Sequence, residues 1–558
     1  AGTLNVKAGN STTSGQASLI ESLAVAGSGG GSNAVAGSLV YTQIGKPGGT
    51  DASAAAAEGS SATDDPILGA IGATEDGRDG AFGMVRDSTS GAITHGGGQP
   101  SVIAFDLDAE DITRATVSVG AGATAQPLDV NAINVETTDA ATIRSLAGGA
   151  ALGGSNGFGA AFSINLLFGN TQSELILPAM LPTSDPTALD GAISVQSLSD
   201  SRIETGAIAL GGGGSIGGAG SVTVNVLNRD SIARMRGQGG DATRSEITTS
   251  GGNVTVRSEQ VGTIESLAGA IAIGGTAGVG GAVAVNVMSD DGFAAIDGVD
   301  LNAGLGLVVV EATQSTPQNV PNEDDVPLLG IAVAGAGGST GAFGGSFVVN
   351  SNTSSLTARM RNATVEARDI TNNARSDVDM SGIAGAAAFD GVASVALAVV
   401  TNVSDMTIMS EIDRATLTAS RNIVIDAVAD ASIGGIAVGA AVSGGIGITG
   451  SGVANISSND VTAQIVNTGA DIADGFGGSD VLARGTVLMR AEGRSVFQLL
   501  GGGDEEPGLN LNISGGGAAG IGAAVTVNEA NNQVTARVAD SSRVTGLGFN
   551  TANSTRLG

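Results

Sequence analysis

Apolar residues of small and large size alternate in many runs of this chain with a period of two. Ala270-Ile271-Ala272-Ile273 and Ala282-Val283-Ala284-Val285 show the pattern plainly. Successive side chains of a strand point to opposite faces, so this period predicts β-strands. Gly-rich bends such as Gly274-Gly275 separate the strand-like runs. The uncharged stretch from Leu267 to Met288 is long enough for a membrane span, but its Gly content and its alternation read as strand. The inward parity is expected to shift between Ile264 and Leu267, marking a corner or bulge. Large Val and Ile side chains then fill one face, while Ala, Gly and Ser line the other. A face of small residues permits close approach of a neighbouring sheet or chain.

The pattern repeats. Strand-like runs end in Asn165, Asn225, Asn286, Asn350, Asn402, Asn455 and Asn528. Ten positions after each stands an apolar residue: Leu175, Met235, Ile296, Met360, Ile412, Ile465 and Val538. Counting back 22 from the Asn reaches Ile143, Ile203, Ile264, Met380 and Ile433, and ten more reaches Ile133, Ile193, Val254, Ile370 and Ile423. The first copy has Ile20 and, in place of Asn, Thr42.

Fixed marker intervals with variable connections are the signature of a stacked repeat. We expect an all-β fold spanning 1–558 as one repetitive solenoid of about eight units. Loop insertions are expected at 45–111, 178–190, 313–327, 466–486 and 501–509. The sequence predicts a right-handed parallel β-helix with two coils per unit, a rod of roughly 75 Å at about 4.8 Å per coil. A mixed or antiparallel β-repeat array is the alternative, because a Gly-Gly bend is also a hairpin signal. With one Asn per two coils, the recurrent Asn reads as a corner residue in αL geometry rather than as an amide ladder.

Composition narrows the class. Of 558 residues 91 are Gly, there is no Cys or Trp, and Tyr occurs once. Without Cys there is no disulfide framework, thiol chemistry or Cys-based metal site. The formal charge of −30 is unsuited to nucleic acid and anionic lipid. The chain opens at Ala1 in strand-like sequence rather than in an export signal, and we expect it to be an interior slice of a longer protein.

Candidate chemistry is sparse. His95 is the only His, and it reads as a solvated loop residue. Asp106, Asp108, Glu110 and Asp111 offer hard oxygen ligands in a short span, and Glu75, Asp76 and Asp79 form a smaller group; both read first as solvated acidic loops, with Ca²⁺ binding at Asp106, Asp108, Glu110 and Asp111 as the alternative. Neither has EF-hand spacing. Glu265, Glu311 and Asp426 are scattered, so no catalytic set is assigned and no enzyme activity is expected. Gly515, Gly517 and Gly520 match a dinucleotide fingerprint but precede a strand rather than a helix.

Units such as Gly280-Gly281-Ala282-Val283-Ala284-Val285-Asn286-Val287 resemble repeats of very large bacterial surface proteins, the filamentous-haemagglutinin-like and leukotoxin-type filamentous adhesins. The resemblance runs from about Gly2 to Ala539. It implies export to the bacterial cell surface, a β-helical shaft, and attachment or matrix building. No secretion domain, membrane anchor or receptor-binding module of such proteins is recognisable here. Expected partners are copies of the chain, other surface or matrix components, and glycans, with no transmembrane segment. A polysaccharide-active β-helix enzyme and a Ca²⁺-stabilised surface-layer component are the alternatives.

Overall fold

The computed structural model describes residues 2–10, 18–44, 84–86, 93–95, 112–118, 130–177, 187–189, 191–238, 244–249, 251–315, 328–468, 478–498, 509–540, 542–550 and 555–556. The chain winds into a parallel β-solenoid of eight coils that build three parallel sheets. The third coil is representative. It runs along the first sheet as Ile193–Gly213, returns along the second as Ile216–Gly237, and closes through the short third sheet as Ser245–Thr249. The fourth follows with Val254–Gly274, then Ala277–Met288 and Asp291–Asp297, then Val299–Asn302.

The sequence markers stack directly. Ile193 lies beside Val254, Ile203 beside Ile264, Asn225 beside Asn286, and Met235 beside Ile296. One unit is therefore one coil, which corrects the expected two. At about 4.8 Å per coil the stack is roughly 40 Å long, half the anticipated rod. The bend is not a hairpin tip. The strands flanking it belong to different sheets, and each pairs with its counterparts in adjacent coils. The bends themselves stack: the Gly275 amide donates to the Gly213 carbonyl at 2.9 Å. Among the described residues antiparallel pairing occurs only between Met84–Arg86 and Ile93–His95 and between Phe549–Asn550 and Thr555–Arg556, outside the repeat. The second sheet of the first coil stops at Ile44, beside Leu167, and resumes at Ile112, beside Asn170.

Each coil has two parts. In the first, all three sheets surround a core of large aliphatic side chains, including Ile203, Ile264, Met235, Ile296, Ile247 and Leu301. We call this the body. In the second, only the outer halves of the first and second sheets remain, packed face to face as a thin blade. The blade interior is mostly Ala, Gly and Ser, with Thr449 among them and Val or Thr at its base; Ala268, Ala270 and Ala272 face Ala282 and Ala284 there. The sheets approach so closely that a Cβ at Gly211 would land on the Gly218 carbonyl, and one at Gly217 on the Ile273 carbonyl.

This arrangement overturns the expected parity shift. Inward positions stay even throughout Val254–Gly274, so Leu267, Ile271 and Ile273 point outward. The small-residue face does permit close approach, but between two sheets of the same chain.

Candidate interaction surface

Body and blade meet at a column of asparagines. Asn165, Asn225, Asn286, Asn350, Asn402 and Asn455 are fully buried strand residues. Each donates Nδ2–H to Oδ1 of the next, ending on Asn528, at 2.8–3.0 Å. The second amide proton crosses the junction to the first sheet: Asn350 donates to the Ser381 carbonyl at 2.9 Å and Asn402 to the Gly434 carbonyl at 2.7 Å. Both donors of Asn350 and of Asn402 are thus satisfied in a buried site, where an orphan would be costly. The corner reading of these asparagines is corrected. One coil per unit supplies the one amide per coil that a ladder needs. Room for it comes from small residues opposite; a Cβ at Gly330 would crowd the side chains of Val348, Asn350 and Asn286.

Beyond the ladder, large residues face solvent. Leu267 is 41% exposed, Ile271 52%, Ile273 63% and Val279 50%. On the first sheet the four outward positions between the ladder and the bend are apolar or Gly in all eight coils, as in Leu23, Val25, Gly27 and Gly29 or Ile436, Val438, Ala440 and Val442. Large residues neighbour Gly in adjacent coils: Val25, Gly148, Ile208, Gly269, Val333 and Gly385 form one column. Leu146 lies over Gly206, and Leu152 over Gly212. The side chains therefore fold flat against the sheet. The second sheet is similar, with Phe158, Val279, Phe343 and Ile521 outward.

The body's outer surface is different. Arg and acidic residues of neighbouring coils pair along it: Arg144 with Glu204 at 2.8 Å, Arg202 with Glu265 at 3.2 Å, Arg257 with Glu311 at 3.4 Å and Arg490 with Asp426 at 2.6 Å. Exposed pairs of this kind contribute little stability, but they interleave charge along the stack. Where body meets blade, a shallow groove of about 610 Å³ follows the first sheet. Glu21, Arg144, Glu204 and Glu265 form one wall, and Leu23, Leu146, Leu267 and Ile331 the other.

Asp106, Asp108, Glu110 and Asp111 lie outside the described residues, as do Glu75, Asp76 and Asp79. Among the described residues no group of three or more His, Asp or Glu is arranged to hold a metal ion. Glu265, Glu311 and Asp426 sit on the body surface in the pairs above. Gly515 and Gly520 are strand residues on either side of the bend at Gly517. No described helix is long and apolar enough to cross a membrane.

One buried polar group was missed from sequence. Arg229 and Asp139 form an ion pair inside the body, each no more than 1% exposed. The Arg229 amide donates to Asp290 Oδ1 at 2.9 Å, and its carbonyl accepts from Gln260 at 2.9 Å. Gly169, its register neighbour, leaves space for the guanidinium. Burial pushes the Asp290 carboxyl well above its ordinary range, with the Arg229 contacts opposing. The available signal was parity: Arg229 stands four positions after Asn225 and so faces inward. At the edge of the same corner Asp230 neighbours Asp291, and burial, aided by that like charge, raises its pKa to about 6.

Comparison with protein families, curated proteins and solved structures found no match for this chain.

Proposed function

We propose that this chain is the repeat shaft of a large bacterial surface adhesin, an extracellular structural scaffold that assembles into filaments or matrix. The supporting observation is the continuous register of eight coils under an outer surface that is largely apolar along one side. Such a stack is stiff because every inter-coil contact repeats, and its length grows by adding coils. The strong acidic excess keeps it soluble while leaving the apolar side free for contact. The resemblance of the repeat units to filamentous adhesins points the same way.

The test is attachment. Beads coated with the purified chain are expected to cluster and to adhere to glycan- or protein-coated surfaces. Beads carrying an equally acidic globular protein are not. Equal behaviour of the two overturns the reading.

The groove favours a second reading, polysaccharide processing, because it sets Glu21 and Glu204 beside Arg144, with Glu265 one coil further along. Release of reducing sugar from a neutral polysaccharide, abolished by Glu204→Gln, would establish it.

A further inference from the structure

We infer that the apolar blade is a homotypic contact surface: the first-sheet face of one copy packs on the first-sheet face of another. The inference deepens the scaffold reading and rests on it for its purpose. Four features carry it.

The first is size. Four outward columns over eight coils cover roughly 20 Å by 35 Å, or about 700 Å² in plane, from strand rise and strand spacing. The largest apolar patch of an ordinary monomer is about 300–600 Å². A stable interface takes about 800 Å² of accessible surface from each partner, close to what a face of this extent offers.

The second is chemistry. No outward side chain in these columns is charged or polar, so covering them strands no hydrogen-bonding group. The ladder of Arg144, Glu204, Arg202 and Glu265 borders the patch on the body side. An apolar centre with a charged rim is the anatomy of a protein contact.

The third is shape. Because Leu146 and Leu152 lie over glycines of the next coil, the face is flat. Two flat sheets pack face to face at about 10 Å, as in a sandwich. The chain itself offers such a face, and the first-sheet face of a second copy matches it in extent and chemistry.

The fourth is charge. Each chain carries −30, so copies repel through their bodies, and contact is confined to the uncharged blade. Association must therefore strengthen as salt screens that repulsion.

The experiment is sedimentation equilibrium of the full chain from about 1 to 100 μM at low and high salt. The expected result is mass above the monomer, rising with salt. Leu210→Glu with Ile271→Glu, register neighbours on the blade, is expected to restore the monomer while its melting temperature and circular dichroism stay unchanged. A second measurement uses the absence of native Cys. Ile271→Cys is expected to form an intermolecular disulfide under mild oxidation, and Thr255→Cys, on the body's outer surface, is not. A monomer at every concentration overturns the inference, as does association indifferent to the Glu substitutions. Flotation of monomeric chain with neutral phosphatidylcholine vesicles also overturns it and makes the blade a lipid surface. A monomeric chain whose coated beads still adhere removes the blade contact and leaves the scaffold reading. An associating chain whose beads do not adhere does the reverse.

Discussion

Body and blade are built from the same strands yet obey opposite packing rules. In the body, Ile and Leu point inward and charged residues outward. A few residues further along the same strand, Ala and Gly point inward and Ile and Leu outward. The difference lies in the separation of the sheets. Where the third sheet holds the other two apart, the interior needs large side chains to fill it. Where the two sheets close, even a methyl group at Gly211 meets backbone. Hydrophobicity alone does not decide which face is inside; the available depth does.

This contrast can be broken directly. Gly211→Val is expected to have the largest effect, about 3 kcal/mol or more, because its side chain must displace the Gly218 backbone and both sheets with it. The urea midpoint should collapse. The mirror experiment in the body is Ile264→Ala, which leaves a cavity and is expected to cost about 2–4 kcal/mol by the same measurement. Enlarging a residue is thus fatal in one region and shrinking one in the other.

The seam between the regions is tested by Asn286→Leu. It removes the acceptor for Asn225 and the donor for Asn350, an expected loss of about 2–3 kcal/mol in chemical denaturation. An effect below about 0.5 kcal/mol would make the ladder incidental.

Protonation sharpens the comparison next, since the raised carboxyls Asp230, Asp290, Asp377 and Asp379 all belong to the body. Burial is the leading cause for each. The folded state holds these protons more tightly than the unfolded chain does. Their contribution to stability is therefore greatest at acid pH and falls as pH rises; for Asp230 the fall runs from about 4 to about 6. The melting temperature is expected to rise between pH 7.5 and 5. Asp230→Asn should flatten part of that profile and stabilise the chain at pH 7.5 by about 1–2 kcal/mol. The smallest expected change is Ile271→Ser on the blade's outer face, within about 0.5 kcal/mol in thermal melts.

The register of the fold was legible in the sequence. Ile203, Asn225 and Met235 were placed in one frame by counting, and that frame is the pairing observed. The coil count per unit was not legible, because nothing in the spacing shows whether a Gly bend returns the chain to its own sheet or to an opposite one. The parity shift was misread for a related reason. Placing Leu267 and Ile271 inside follows the usual rule that large apolar residues are buried, and that rule assumes an interior deep enough to hold them. The alternation that identified the strands carried no sign saying which face was outer. The ladder was set aside only because the coil count was wrong. Arg229 escaped notice because a charged residue in a polar run reads as surface unless its parity is followed from Asn225.

The asparagine column gives the molecule a compass. Every amide passes its proton the same way, from Asn165 towards Asn528, so the small dipoles add in series along the axis. Asn165 Oδ1 stands with no donor, since Thr42 occupies the preceding rung. North and south along this axis are chemically distinct, and two such rods laid side by side in opposite directions cancel each other's field.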